Sequence, residues 1–275
     1  MSKVSWTRIL LVILIAIIAV AGTFLIVEEE VSRAPIENTE KMTEIREERI
    51  LESYEKLVKS TVQEARKAVV TVRAGQSEGA GFLVDNNIIV TADHIFDHMG
   101  RYDTIEVIDY EGNKWEAKEK DSMYLQDLAL LETQYLELPT LELAKEVEIG
   151  STAIAIGTPM EMPNSATRGI ISNVVLDAQV GDTKFVQFDA AISPGNSGGP
   201  IIDINGKVLG VAVLKGTDYG VEGMGFATHI RHVRELLGKD VGEMDTSGMW
   251  SSDVAENTRE TPRNKPYDDR RFPKE

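Results

Sequence analysis

The sequence predicts an all-β domain, a barrel or a sandwich, set between an apolar N-terminal segment and a polar C-terminal tail. Three observations carry this. From Ala68 to about Ala227, short β-branched runs alternate with Gly, Asn and Asp. No helical period separates them, so the strands do not belong to βαβ units. The chain has 275 residues, enough for one large β domain with tails.

The segments follow in chain order. Residues 9–27, Ile9 to Val27, form a run without a charge, of about the length that spans a bilayer as a helix. Lys3 and Arg8 precede it and Glu28, Glu29 and Glu30 follow. The positive-inside rule puts residues 1–8 in the cytoplasm and everything after the run outside it, as a single-pass membrane protein. A cleaved signal peptide with Ala19-Val20-Ala21 as its site, and hence a secreted protein, is the alternative. Secretory apolar regions are usually shorter, roughly 7–15 residues, which favours a retained anchor. Residues 28–67 read as a helical stalk or linker. Met42, Ile45, Ile50, Leu51, Tyr54, Leu57, Val58, Val62 and Ala65 make an irregular helical stripe, too brief for a coiled coil.

Residues 68–238 are the expected domain. Strands are predicted at Val69–Arg73, Gly81–Val84, Ile88–Thr91, Thr104–Asp109, Leu128–Glu132, Thr152–Ile156, Gly169–Val175, Phe185–Phe188, Pro200–Ile204, Val208–Leu214 and Gly225–Ala227. Asn205-Gly206 signals a hairpin turn. Ile230–Leu237 reads as one closing helix. Residues 239–275 are polar, contain Pro and are poor in large apolar side chains, the composition of a disordered tail.

Charge and composition exclude some functions. With 45 acidic against 29 basic residues the net charge is −16, which argues against a nucleic-acid partner. There is no cysteine, so neither a disulfide framework nor a thiolate metal site. His94 and His98 have i, i+4 spacing, but no Glu stands where a zincin needs one, and no metal or cofactor is expected. His98 is expected in an exposed turn, and His229 and His232, beside Arg231 and Arg234, on the surface of the closing helix.

Ser193-Pro194-Gly195-Asn196-Ser197-Gly198-Gly199-Pro200 crowds glycines around one hydroxyl. Acyl transfer by serine needs a base, a carboxylate that orients it, and donors for the oxyanion. One assignment uses His94, Asp127 and Ser197. His94 follows the apolar strand ending at Thr91, and Asp127 opens another, Leu128-Ala129-Leu130-Leu131. The other uses Ser197, Asp218 and His229, in the order of α/β-hydrolases. That fold needs a helix after the nucleophile turn, whereas Pro200-Ile201-Ile202 reads as strand, so the first assignment is preferred.

At these residues the chain resembles the trypsin-like serine proteases. Thr91-Ala92-Asp93-His94, Asp127-Leu128-Ala129-Leu130-Leu131 and Asp189 to Pro200 look like that family's three signature blocks, the last being most similar to the HtrA (Deg) family. Ala155-Ile156-Gly157-Thr158-Pro159 and Gly223-Met224-Gly225-Phe226-Ala227 agree with it. The resemblance covers about residues 65–238. It implies two six-stranded antiparallel β-barrels with the site between them, His94 and Asp127 from the first and Ser197 from the second. Ser197 would be the nucleophile, His94 the base and Asp127 its orienter. Gly195 and Ser197, with Asn196, would line the oxyanion hole. Ala191 would lie at the base of the specificity pocket, with Val213, Leu214 and Lys215 as the substrate-pairing strand and Gly225, Phe226 and Ala227 as the opposite wall. No carboxylate at that base implies cleavage after small aliphatic residues, in unfolded or extended polypeptides that add as a strand.

The resemblance also implies a homo-trimer built from N-terminal segments. The sequence departs from the family in three places. Asp93 stands where a small residue is usual, the loop Asp177–Lys184 is short, and residues 239–275 are too few for the PDZ domain that commonly follows. Rival readings are a latent adaptor or chaperone on a protease scaffold, and a serine esterase.

Overall fold

The computed structural model describes residues 6–100, 104–158, 165–177, 182–213 and 223–239. The chain divides into two compact units, Met1–Lys59 and Ser60–Glu275. The expected cytoplasmic residues up to Ser5 and the tail from Asp240 lie outside the described residues.

The anchor and stalk of the sequence form one helix, α1 (Trp6–Ala65), with no break between them. In its first part Leu11, Leu14, Ile15, Ile17, Ile18, Val20 and Phe24 are exposed. Among the described residues no helix is long and apolar enough to cross a membrane. Further on, Met42, Ile50, Leu51 and Leu57 are also exposed, while Ala65 is buried. In the second unit the Thr61 hydroxyl donates to the Ile204 carbonyl at 2.8 Å. A 3₁₀ turn, Arg66–Ala68, ends the helix. The residues that follow, Val69 and Val70, are β-branched, lose rotamer freedom in a helix and pack well in a sheet.

Two closed antiparallel barrels follow, as the sequence resemblance implies. The first joins β1 (Val69–Ala74), β2 (Ser77–Asp85), β3 (Ile88–Thr91), β4 (Ile105–Ile108), β5 (Lys114–Met123) and β6 (Leu128–Thr133) in the order β1-β2-β3-β6-β5-β4. The second joins β7 (Thr152–Gly157), β8 (Ser165–Asp177), β9 (Thr183–Phe188), β10 (Pro200–Ile202), β11 (Val208–Val213) and β12 (Gly225–His229) in the order β10-β11-β12-β9-β8-β7. Closure leaves no free sheet edge. Each barrel has its own core. Val72, Leu83, Ile89, Ile95 and Leu131 fill the first, and Ile171, Val186, Phe188, Ile201 and Leu209 the second. Burying each such side chain contributes about 1.5–3 kcal/mol.

Eleven strands were expected, and β5 is the one missed. Its residues KWEAKEKDSM carry charges on both faces, and only Ala117 is buried. What makes it a strand is its two neighbours: it pairs with β4 from Ile105↔Ala117 and with β6 from Ala117↔Thr133. Between β10 and β11 the Asp203 carboxylate accepts from the N–H groups of Asn205 and Lys207, both at 2.8 Å, around the expected Asn-Gly turn.

The closing helix α2 (Ile230–Leu236) corrects the placement of two histidines, because His229 and His232 are buried rather than on the surface. His229 caps the helix, its Nδ1 accepting from the Arg231 N–H at 3.0 Å. His232 turns toward β9, where its Nε2 accepts from the Lys184 N–H at 2.9 Å and its Nδ1 meets Glu235 Oε2 at 2.8 Å. Burial, then the nearby Lys184, His232 and Arg231, push His229 down to about 3. Burial also lowers His232, against the opposing pull of Glu235. A buried imidazole can spend both ring nitrogens on hydrogen bonds, which the neighbouring arginines conceal in the sequence.

Candidate active site

The first barrel delivers a histidine and a carboxylate as a bonded pair. His94 lies in a 3₁₀ turn, Asp93–Phe96, just after β3. Asp127 stands between the 3₁₀ turn Tyr124–Gln126 and β6, in the left-handed region at φ 55°. His94 Nδ1 is 2.8 Å from Asp127 Oδ2, and the His94 N–H donates to Asp127 Oδ1 at 2.9 Å. Asp127 is only 3% exposed. A buried carboxylate that takes both the ring and the main chain of one histidine fixes its orientation and its tautomer.

Asp93, next to His94, is half-buried, and its carboxyl is held above the usual range. Burial is the main cause, then the charges of Asp127, Glu119 and Asp97, with a hydrogen bond from Ser122 opposing.

The second barrel delivers Ser197 on a glycine turn wedged against the first. The Ala80 N–H donates to the Ser197 carbonyl at 2.7 Å, and the Gly198 N–H to the Ala212 carbonyl at 2.8 Å. Gly198 has φ +83°, and a Cβ there would strike the Ala80 carbonyl and lie 2.8 Å from the Ala92 nitrogen. The glycine is therefore needed for the close approach of the barrels as well as for its backbone angle. Thr158 also bridges them, its hydroxyl reaching the Gly79 carbonyl at 3.3 Å.

Ser197 is 3% exposed and its Oγ has no hydrogen-bond partner. The main-chain donors beside it differ in availability. Among the described residues the Gly195 and Ser197 N–H groups make no hydrogen bond, whereas the Asn196 N–H donates to the Ser193 carbonyl at 3.0 Å. The main-chain donor of Asn196 is engaged in closing this turn.

The expected pocket residues are placed unevenly. Ala191 is exposed, and its carbonyl accepts from the Thr167 hydroxyl at 2.6 Å. A Cβ on Gly225 would lie 2.5 Å from Phe188 Cζ and 3.1 Å from Ile192 Cδ1, so these two side chains face that wall. Neither was singled out from the sequence. Ile192 is one residue beyond Ala191 in an irregular segment where register cannot be counted, and Phe188 was visible only as the end of a strand. Val213 pairs with Phe226 and Ala212 with Ala227 across β11 and β12. Leu214, Lys215 and the rival carboxylate Asp218 lie outside the described residues, as do residues 178–181 of the short loop. The rival base His229 is buried as a helix cap. Among the described residues no group of three or more His, Asp or Glu side chains is placed to hold a metal ion.

Residues 79–211 match the family model of the trypsin-like peptidase domain. The chain is 35% identical over 168 residues to human serine protease HTRA4, covering 58% of this chain and 34% of that one. To the protein of Chlamydia trachomatis named "Probable periplasmic serine endoprotease DegP-like" it is 39% identical over 158 residues, covering 54% and 31%. Zebrafish (Danio rerio) serine protease HTRA1B is 32% identical over 181 residues, covering 62% and 37%. The chain thus spans about a third of the length of these curated relatives. The crystal structure of the serine endoprotease from Yersinia pestis superposes with a TM-score of 0.58 at 29% identity, covering 66% of this chain and 65% of that one.

Proposed function

Since this chain carries a trypsin-like peptidase domain and is a homologue of the HtrA and DegP-like serine proteases, we propose that it is a serine endopeptidase acting on unfolded or extended polypeptides. The observation that carries this reading is the pairing of His94 with the buried Asp127 carboxylate, together with a serine flanked by two uncommitted N–H groups, those of Gly195 and Ser197.

The chemistry follows from those groups. Ser197 Oγ attacks the carbonyl carbon of the substrate peptide, and its proton passes to His94 Nε2. The carbonyl oxygen, now negative, accepts from the Gly195 and Ser197 N–H groups. Asp127 holds the imidazolium that forms. Collapse breaks the C–N bond, and His94 returns the proton to the leaving amine. A water then loses its proton to His94, attacks the Ser197 ester and frees the acid and the serine. The Phe188 and Ile192 side chains that crowd Gly225 support the preference for small aliphatic side chains before the cleaved bond that is part of this proposal.

Anchoring belongs to the same proposal. The exposed Leu14, Ile17, Ile18 and Phe24 belong to the uncharged run Ile9 to Val27, and an aqueous setting for so many apolar side chains is unfavourable. A bilayer accounts for them, with the peptidase domain on the extracytoplasmic side. The exposed Met42, Ile50, Leu51 and Leu57 offer a surface for self-association, here as a trimer.

One observation favours a resting form of the enzyme. Ser197 Oγ is buried without a partner, so on this reading its hydrogen bond to His94 forms only on the way to attack. The test is incubation of wild type and Ser197→Ala with unfolded casein, with cleaved bonds mapped by mass spectrometry. Cleavage by wild type alone, after Val, Ala or Ile, supports the proposal. Equal cleavage by both, or turnover of small esters without any cut in casein, contradicts it.

A further inference from the structure

Two non-glycine residues of the described chain adopt the left-handed conformation, Asp127 at φ 55° and Asp182 at φ 54°. Each is the chain neighbour of one end of a single buried hydrogen bond. Gln126 Nε2 donates to Thr183 Oγ1 at 3.1 Å, across the two barrels and between residues far apart in sequence. A second buried bond reaches the same residue: the Thr228 hydroxyl donates to the Gln126 carbonyl at 2.7 Å. Thr183 and Thr228 are fully buried, at 0% exposure, and Gln126 is 9% exposed. The second barrel therefore grips Gln126 by its side chain from β9 and by its main chain from β12. Beyond Thr183, the Lys184 N–H is held by His232 of α2.

A left-handed, non-glycine conformation costs about 1–3 kcal/mol and persists only where surrounding contacts over-determine it. The Asp127 N–H bond to the Tyr124 carbonyl, at 3.1 Å, is local and closes only the preceding turn. The contacts that fix the residue before Asp127 against the rest of the molecule come from the other barrel. We propose that Gln126 is a positioning residue: its clasp to Thr183 and Thr228 sets the backbone of Asp127, and through it the orientation of His94, according to the state of the second barrel. The end of β9 and the helix α2 are thereby mechanically linked to the base of the reaction. This rests on the peptidase reading for its catalytic consequence but not for its structural one.

The test separates the two. In the full-length chain in detergent micelles, Gln126→Met and Thr183→Val each remove the side-chain bond with little change in volume. One readout needs no turnover: the downfield proton signal of the His94 Nδ1–H···Asp127 bond, identified by its loss in His94→Ala. The account expects that signal to shift or broaden in both variants at a temperature where circular dichroism shows each fully folded, although the lost buried bond lowers the melting temperature. The other readout is hydrolysis. The value of kcat is expected to fall about 10- to 100-fold in each variant, the scale of a small misplacement of a catalytic group, with KM little changed. The double variant should be no worse than the single ones, since one bond is broken in all three. Gln126→Glu, which can still meet Thr183 when protonated or as an acceptor from its hydroxyl, should recover part of the loss. A wild-type signal in both variants, or a fall in stability that alone accounts for lost activity, overturns the clasp. An inactive wild type whose signal still responds to Gln126→Met overturns the peptidase reading and leaves the clasp standing.

Discussion

The two barrels bring unequal halves to the site. The first presents a finished pair: His94 is held by ring and main chain to a carboxylate that is almost out of solvent. The second presents open groups, with Ser197 Oγ and Asn196 Oδ1 both buried and unpartnered, and the Gly195 and Ser197 N–H groups uncommitted. Buried polar atoms without partners cost about 1–3 kcal/mol each, and such a cost persists at places where function needs the group free. On the proposed reading, the contrast makes His94 a preorganised base and Ser197 an adjustable nucleophile, so loss on the two sides should look different.

Breaking the finished half has the largest expected effect. Asp127→Asn keeps the shape and changes the tautomer of His94, and hydrolysis should fall about 10⁴-fold with the fold intact. Circular dichroism and peptide-bond turnover together check this. A loss below tenfold would remove Asp127 from its assigned role.

Next comes the wedge between the halves. Gly198→Ala puts a Cβ onto the Ala80 carbonyl and strains a positive φ, so it should destabilise by more than about 1 kcal/mol and lower activity with it. Denaturant unfolding measures the first and turnover the second. Normal stability in this variant would mean that the barrels can separate at little cost.

The smallest effect concerns the helix that supports β9. His229 is pushed from 6.5 to about 3 by burial, and His232 is lowered for the same reason. Both are therefore neutral in the fold at neutral pH. In the unfolded chain they take up protons below about 6.5. The unfolded state then binds more protons, so their contribution to stability is present above that pH and is lost as pH falls toward about 3. Asp93 acts with the opposite sign, because its raised carboxyl favours the folded state on the acid side. Thermal unfolding between pH 7 and pH 4 should show a declining midpoint. His229→Asn, which keeps a helix-capping acceptor, should flatten that decline. An unchanged slope would mean that other groups govern the acid response.

Much of the architecture was legible because barrel strands advertise themselves. Ile88–Thr91 and Thr152–Ile156 are short β-branched runs between turn residues, and both appear where expected. β5 was hidden because a strand with polar side chains on both faces has no alternation to read, and only its pairing partners reveal it. His94, Asp127 and Ser197 stood out because each sits in a compact local motif. Gln126 did not, since its meaning lies in Thr183 and Thr228, distant in sequence and joined to it only by closure of the second barrel against the first. The turn hydrogen bond from the Asn196 N–H to Ser193 was hidden for a related reason, being invisible in a run of glycines.

The account rests most directly on Ser197 being a nucleophile activated by His94. Intact-mass and peptide mass spectrometry after treatment with a fluorophosphonate would measure this. The account predicts one adduct, on Ser197, in wild type, and none in His94→Ala. An adduct on another residue, no adduct at all, or equal labelling without His94 would contradict it.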